Sequence, residues 1–501
     1  MGEAGVPQRV AGEIRDHETD AGEVERLRIA AIEHPRDAEQ DRHAGADEQQ
    51  RARVGKLPRL QIDDEPRKPP VDVDGSDCSR EPAGSVPKSG SCHTGSWSDR
   101  RLSVSMRACA SATARSEKSY QPGGALFGMT RFADRVERIS ISGIREVFEA
   151  AGEDAINLGL GQPDFPTPEH ARQAAVDAIE AGDADGYTEN KGRLELREAI
   201  AAKHRRDQGI EVDPADIIAT SGGSEALHIA LAAHVDAGQE VIIPDPGFVS
   251  YDALTKLVGG EPVPVGLRDD LTLDPAAVER AITDDTAAFV INSPANPTGA
   301  VASESDIREF AHIADEHDVV CVSDEVYEYT VFEGEHHSPI QYAESDNVVV
   351  VNSASKLFSM TGWRLGWVTA ASERIERMLR VHQYTQACAS APAQFAAEAA
   401  LDGPQDVIEA MTDSFQRRRD ILLDGLAEYD IECPTPHGAF YAMPRVPEGF
   451  VDECIDRGVI VVPGEAFGDG GEGLARISYA TDEETLREAI EIMGEAAAAV
   501  R

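Results

Sequence analysis

Basic side chains are scarce in the second, larger part of this 501-residue chain. Residues 1–128 hold 19 of the 47 Lys and Arg and 22 of the 91 Asp and Glu, so the remaining residues hold 28 basic and 69 acidic side chains. Only four lysines follow residue 128: Lys191, Lys203, Lys256 and Lys356. A surface this acidic repels nucleic-acid phosphates and acidic membrane faces, so neither is expected as a partner.

Paired cysteines and long apolar runs are also lacking. The seven cysteines form no CxxC pair and follow no secretory pattern, which predicts a reduced, cytoplasmic setting. No apolar run approaches the roughly 18 residues that a membrane-spanning helix needs. His336 and His337, in EGEHHSP, lack the spacing of metal ligands, so we expect a surface turn there and predict no metal site.

Residues 1–128 are rich in Arg, Gly, Pro and Ser and show no sustained apolar period. We therefore expect a largely disordered N-terminal extension. The composition changes abruptly at Met129, where an acidic, alanine-rich pattern begins. One hypothesis is that the natural chain starts at Met129 and that the preceding residues are a mis-assigned extension.

From residue 129 onward, short apolar runs alternate with helical patterns, as is typical of an α/β fold with a mostly parallel sheet. Thr167 is expected to cap a helix that has Pro168 in its first turn and ends at Gly182. Ligands in such sheets bind beyond the carboxyl ends of the strands. The apolar runs predicted as strands are 216–220, 240–243, 288–292, 319–323 and 348–352.

The most informative segment is SASKLFSMTGWRLGW, residues 353–367, which sets Lys356 among hydroxyl side chains and an arginine eight residues later. It closely resembles the signature that class I (fold type I) pyridoxal-phosphate aminotransferases carry around the lysine that binds their cofactor. Four other segments resemble that family in the same order, and the resemblance spans residues 131–495. For Lys356 alone, the competing interpretation is a solvated surface lysine, as most lysines are.

The resemblance implies a fold type I architecture, with a large domain whose mostly parallel sheet lies between helices and a smaller α/β C-terminal domain. Residues 129–170 would form an N-terminal arm, 171–400 the large domain and 401–501 the small one. It also implies pyridoxal 5'-phosphate as cofactor and a homodimer with shared active sites. The implied reaction transfers an amino group from an L-amino acid (aspartate, alanine or aromatic) to a 2-oxo acid such as 2-oxoglutarate.

Four side chains are expected around the reacting end of the cofactor. Lys356 would supply the amine and, once freed by substrate, move a proton between the substrate α-carbon and the cofactor. Asp324, in DEVY, would pair with the ring nitrogen and keep it protonated. Tyr327 and Asn296, the latter in SPANPTG, resemble the family's donors to the cofactor's phenolic oxygen. Taken singly, DEVY and NPTG are more simply ordinary turns.

The phosphate is expected at a helix N-terminus, where free N–H groups and the positive dipole end bind anions. The segment SGGSEALHIALAAH after a predicted strand provides that arrangement, although a glycine pair alone is a weak signal. An arginine could add two charge-assisted hydrogen bonds. The residues assigned to the phosphate are Gly222, Gly223, Ser224, Ser353, Arg364 and, from the neighbouring subunit, Tyr187.

Three further residues resemble the family's contacts to the cofactor ring and the substrate. Phe248 matches the aromatic residue that stacks on the ring, although a lone Phe is as easily a core residue. Arg476 matches the arginine that binds the substrate's α-carboxylate, with Asn296 nearby, and Gly161 would allow close backbone approach. Ser224 departs from some acidic-substrate members, which carry lysine there, and this weakens an assignment to aspartate.

Two other functions stay open. A pyridoxal-phosphate lyase acting on a C–S or β bond would use the same fold and lysine, because pocket side chains decide the outcome. A transcription regulator with an aminotransferase-like domain would need a basic winged helix-turn-helix, and residues 1–128 show no such pattern.

The net charge of −44 predicts a protein adapted to high salt, as in a halophile. Self-repulsion at that charge opposes the compact state, and molar salt shortens the screening length to about 3 Å. We expect both the melting temperature and the activity to rise from salt-free buffer to molar KCl. Full activity with an unchanged melting temperature in salt-free buffer would contradict this prediction.

Overall fold

The computed structural model describes residues 132–140 and 155–501, so the predictions for residues 1–128 and for a start at Met129 lie outside the described residues. The helices are α1 (Asp134–Glu137), α2 (Glu169–Ala181), α3 (Leu194–Gln208), α4 (Gly223–His234), α5 (Ser250–Val258), α6 (Pro275–Ala281), α7 (Glu304–His317), α8 (Ala354–Leu357), α9 (Ser372–Thr385), α10 (Ala391–Asp402), α11 (Asp406–Glu428), α12 (Phe450–Asp456) and α13 (Glu483–Val500). The strands are β1 (Ile156–Asn157), β2 (Ile217–Thr220), β3 (Glu240–Asp245), β4 (Glu261–Gly266), β5 (Thr286–Asn292), β6 (Val320–Asp324), β7 (Val348–Ser353), β8 (Gly366–Ala370), β9 (Tyr441–Ala442), β10 (Val459–Ile460), β11 (Val462–Pro463) and β12 (Ala475–Ser478). Among these helices, none is long and apolar enough to pass through a bilayer.

A seven-stranded sheet in the order β2-β8-β7-β6-β5-β3-β4 forms the centre of the fold. Neighbouring strands from β4 to β7 run parallel, and β8 is antiparallel to both of its neighbours. All five predicted strands belong to this sheet, with ends that differ from the predicted ones by at most two residues.

Alternation of side chains along β5 shows why this sheet is covered on both faces. Ala288 and Val290 pack with residues of α4, α5 and α9. Phe289 and Ile291 point the other way and pack with residues of α6 and α7. All four side chains are buried. The predicted fold class, a mostly parallel sheet between helices, is therefore confirmed.

The carboxyl ends of four strands meet at one edge of the sheet. Asn292 at the end of β5 lies opposite Asp324 at the end of β6. Ser353 at the end of β7 lies opposite Gly366, which also pairs with Thr220 at the end of β2. The segments predicted to carry the chemistry therefore emerge side by side.

A second, smaller group of strands comes from the two ends of the described chain. The strands β11, β12 and β9 form an antiparallel sheet, and β1 pairs in parallel with β10. Phe415 on α11 and Met493 on α13 belong to the hydrophobic core around them, which also includes Leu158. Because the Ser478 amide donates to the Leu158 carbonyl at 2.7 Å, the segment after β1 is attached to β12. The boundaries 129–170, 171–400 and 401–501 stay a prediction.

The helix predicted after Thr167 forms, but Thr167 does not cap it. The helix α2 begins at Glu169, its N-cap position is Pro168, and its C-cap is Gly182 with φ of 80°. The Thr167 hydroxyl instead donates to the Ser359 carbonyl at 3.1 Å and accepts from the Trp363 indole at 3.1 Å. Partners distant in sequence therefore replace the local cap that the sequence predicts.

Candidate active site

A cavity of about 320 Å³ opens at the carboxyl edge of the seven-stranded sheet. Its wall combines segments from the ends of β5, β6 and β7, the N-terminus of α4, the stretch after β1, and β12. The predicted site residues that line it are Gly161, Gly223, Ser224, Phe248, Asn296, Asp324, Tyr327, Ser353, Lys356, Arg364 and Arg476. The structure thus brings together residues that lie more than 300 positions apart in the sequence.

Lys356 reaches the cavity from the short helix α8, directly after β7. Ser353 caps that helix, because its hydroxyl accepts from the Ser355 amide at 3.1 Å. The Lys356 ammonium donates to the Gly161 carbonyl. Burial, with the positive charges of Arg476 and Arg364, lowers the pKa of Lys356 to about 8. About a tenth of this amine is therefore neutral, and hence nucleophilic, at pH 7.

Asp324 is the last residue of β6, and its carboxylate is buried beside the cavity. The Tyr251 hydroxyl donates to Oδ2 at 2.8 Å. Burial raises the pKa of Asp324 to about 6, although the Tyr251 hydrogen bond and the Lys356 charge act in the opposite direction. The group is still ionised at neutral pH, so it can accept a hydrogen bond from a protonated ring nitrogen.

An anion cradle lies at the N-terminus of α4. Gly222 caps this helix with φ of 82°, and a Cβ atom built there would lie 2.6 Å from Nη2 of Arg364. A Cβ atom on Gly223 would lie 3.6 Å from that of Ser353. A side chain at position 222 would therefore take up the space between the helix N-terminus and the guanidinium. Free N–H groups, a dipole end and an arginine at one point fit a phosphate.

Arg476, on β12, is buried at the other end of the cavity. Its guanidinium donates to Asn296 Oδ1 at 3.1 Å and to the Gly159 carbonyl at 2.5 Å. It lies 4.8 Å from the ring centre of Tyr441 and 4.6 Å from that of Phe467. Its Nε is buried without a hydrogen-bond partner among the described residues. This unused donor in a planar, charged group fits a substrate carboxylate.

Together these groups fit pyridoxal phosphate. The cofactor needs an amine for its aldehyde, a carboxylate for its ring nitrogen and a cradle for its phosphate. Lys356, Asp324 and the cradle at Gly222 supply all three around one cavity. The orphaned nitrogen of Arg476 and the space kept free at Gly222 are the features of this chain that support the fit.

Other predicted residues also lie at the cavity wall. The Tyr327 hydroxyl lies 2.9 Å from that of Tyr441. A Cβ atom on Gly161 would lie 2.2 Å from the Tyr441 hydroxyl, so only glycine fits there. The Phe248 ring packs edge-on against Tyr251, with ring centres 5.6 Å apart. Tyr187 is outside the cavity, and 91% of its surface is exposed.

Three residues of the site were not predicted from the sequence: Tyr251, Tyr441 and Asn292. Tyr251 hydrogen-bonds Asp324, and Tyr441 touches Tyr327. The Asn292 amide donates to the Asp324 carbonyl at 2.8 Å, and its oxygen accepts from the Asn296 amide at 2.7 Å. The only available signal was the polar residue that ends an apolar strand at Asn292.

The expected surface turn at His336 is wrong. Its side chain is 9% exposed, and Nε2 lies 3.1 Å from Oε2 of Glu325. Glu325, Glu328 and His336 lie close enough to share a metal ion. However, the Lys203 ammonium already lies 2.7 Å from Oε2 of Glu328 and supplies a positive charge. This position therefore gives no reason to revise the prediction that the chain binds no metal.

Residues 153–493 match the model of the family described as aminotransferase class I and II. The chain is 39% identical over 374 residues to a probable aspartate aminotransferase of Methanocaldococcus jannaschii, covering 72% of this chain and 99% of that one. It is 40% identical over 377 residues to aromatic-amino-acid aminotransferase 2 of Thermococcus litoralis, covering 72% and 97%. The structure of Thermus thermophilus aspartate aminotransferase with maleate matches with a TM-score of 0.70 and 37% identity, covering 74% of this chain and all of that one. The chain thus belongs to the class I and II aminotransferase family and is a pyridoxal-phosphate-dependent aminotransferase.

Proposed function

We propose that this cavity is where the amino group is transferred, with Lys356 as the base that moves the proton. The observation that carries this proposal is the burial of the Lys356 amine between the anion cradle and Arg476, beside Asp324. When bound, pyridoxal phosphate supplies an electron sink for the α-carbon of the amino acid. The protein's own groups must then hold the reactants and move one proton.

Each side chain has a separate task in this proposal. Arg476, with Asn296, binds the α-carboxylate and so fixes the α-carbon near the Lys356 amine. Asp324 holds a proton on the ring nitrogen, and Tyr251 orients that carboxylate. Tyr327 would donate to the phenolic oxygen of the cofactor. The glycine-lined helix N-terminus, Ser353 and Arg364 would hold the phosphate.

Transamination is favoured over the lyase alternative. Both reactions need Lys356, Asp324 and the phosphate cradle, so the geometry of these residues does not separate them. The relatives described above carry the names of aminotransferases and not of lyases. Release of ammonia without any 2-oxo acid acceptor would favour the lyase.

The identity of the amino donor depends on charges in the cavity. Among the described residues that line it, the cations are Lys356, Arg364 and Arg476, and each already has a task. An acidic substrate side chain therefore lacks a cation within this subunit, where Ser224 offers only a hydroxyl. We propose that donors with uncharged side chains, alanine or aromatic, fit this subunit best, and that a distal carboxylate would need a cation from a partner subunit.

A homodimer in the cytoplasm is part of the same proposal. Tyr187 and Tyr384 are 91% and 87% exposed, which is unusual for large aromatic residues. Contact with a second subunit would bury them, and Tyr187 would then reach the partner's phosphate site. The acidic composition supports a protein that works in high salt.

The lowered pKa of Lys356 predicts how the apoenzyme captures pyridoxal phosphate. Because only the neutral amine attacks the aldehyde, the capture rate should rise about tenfold per pH unit below pH 8 and level off above it. Stopped-flow absorbance would measure this rate. Borohydride should then label Lys356, and Lys356→Ala should capture nothing while Lys256→Ala behaves as the wild type. A label on another lysine would refute the assignment.

Replacing Asp324 with asparagine should leave the cofactor bound but reduce kcat by about 10²- to 10³-fold, because a neutral amide cannot keep the ring nitrogen protonated. Steady-state kinetics together with the cofactor's visible absorbance would test this expectation. Asp252→Asn changes a partly exposed carboxylate on α5 and serves as the control. An unchanged kcat in Asp324→Asn would remove the proposed role.

A lysine at position 224 should supply the missing cation for an acidic side chain. We expect Ser224→Lys to raise the ratio of kcat/KM for aspartate to kcat/KM for alanine by about tenfold or more, which corresponds to one charge-assisted hydrogen bond. The ratio cancels any general effect on cofactor binding. Ser224→Ala should leave it near the wild-type value. A wild-type ratio already strongly in favour of aspartate would contradict the proposed donor preference.

A further inference from the structure

The turn from Asp324 to Glu328 has two faces. Asp324 and Tyr327 line the cavity, whereas Glu325 and Glu328 are buried with contacts elsewhere. Only 1% of Glu325 and 5% of Glu328 is exposed. Burying two carboxylates away from water costs free energy unless each one is paired with a positive charge and hydrogen-bonded. Their partners therefore determine where this turn lies.

Glu328 is held by two buried side chains. The Lys203 ammonium on α3 is fully buried and lies 2.7 Å from Oε2 of Glu328. The Asn352 amide on β7 donates to Oε1 at 2.8 Å. The oxygen of Asn352 in turn accepts from the Ser353 amide at 2.9 Å. One carboxylate thus connects the turn that carries Asp324 with a residue of the phosphate cradle.

Glu325 is held in a similar way by residues of β6, α3 and the loop that follows the turn. Its Oε1 accepts from Ser323 at 2.8 Å and from Ser338 at 2.5 Å. Its Oε2 faces His336 Nε2 at 3.1 Å and Gln208 Nε2 at 3.4 Å. Burial would raise the pKa of Glu325, but His336 and the hydroxyl donors lower it overall, so this carboxylate stays ionised.

We propose that Lys203, Glu325, Glu328, His336 and Asn352, here called the rear clamp, are positioning residues for the active site. The rear clamp does not line the cavity. It fixes Asp324, Tyr327 and Ser353 through the backbone to which they are attached. The proposal rests on the roles given to these three residues above.

A buried ion pair contributes little to stability when compared with apolar residues of similar size. Replacing Lys203 and Glu328 together by methionine removes the ion pair but leaves the buried Asn352 amide without its acceptor, so the melting temperature should fall only modestly. A misplacement of about 1 Å at the active site can nevertheless reduce the rate about 100-fold. A positioning role and a purely structural role therefore predict different results for this double variant.

The test compares Lys203→Met/Glu328→Met with Lys256→Met/Asp252→Met, which removes a lysine–carboxylate pair on α5 whose two side chains do not line the cavity. We expect kcat of the first variant to fall about 10- to 100-fold at a temperature well below its melting temperature, where the protein is folded. The apoenzyme should also bind pyridoxal phosphate more weakly, and the pH at which the bound cofactor's visible band changes should shift. The control should match the wild type in kcat, in cofactor affinity and in the pH at which the visible band changes.

A folded Lys203→Met/Glu328→Met protein with wild-type kcat, cofactor affinity and band position would overturn the proposal. If that variant does not fold, Glu328→Gln decides, because it keeps the shape and the acceptor for Asn352 but loses the ion pair. Loss of kcat and cofactor affinity in Glu328→Gln supports the rear clamp, and wild-type values refute it. A different result would show that the roles proposed for the active-site residues are themselves wrong: Asp324→Asn would then leave kcat unchanged.

Discussion

This active site depends on the removal of one amine and one carboxylate from water at the carboxyl ends of two neighbouring parallel strands. Burial moves the pKa of Lys356 down to about 8 and that of Asp324 up to about 6. The two shifts bring both pKa values toward neutral pH. At that pH the amine can exchange protons while the carboxylate remains ionised. The parallel order of β6 and β7 makes this possible, because it places both side chains at the same edge.

Close backbone approach is the second requirement, and it explains the glycines at both ends of the cavity. A side chain at Gly222 would displace Arg364, and one at Gly161 would displace Tyr441. The carbonyl of Gly161 also accepts from Lys356. The cofactor end and the substrate end therefore depend on backbone atoms that only glycine exposes. The positive φ of Gly222 further orients the first N–H groups of α4 toward the cradle.

The sequence predicted those features of the molecule that depend on residues close together in the chain. The five strands are short apolar runs. Asp324 ends β6, and Lys356 and Gly222 follow β7 and β2 within a few residues, so their position at the carboxyl edge follows from the topology. Contacts between distant residues were not predictable in this way. Tyr251 precedes Asp324 by 73 positions, and Tyr441 follows Tyr327 by 114. For the same reason, the sequence predicted a local cap at Thr167 and a surface turn at His336, whereas both side chains contact residues elsewhere in the chain.

The surface of this protein is acidic whereas the cavity is cationic, and the few lysines follow this division. Of the four lysines after residue 128, Lys203 is fully buried and Lys356 is partly buried in the cavity wall, so few remain on the surface. Lys356, Arg364 and Arg476 make the cavity cationic inside a strongly acidic protein. At molar salt the outer field decays within about 3 Å, whereas buried charges are screened much less. An anionic cofactor or 2-oxo acid would then approach without long-range repulsion and still meet the full attraction of the cavity.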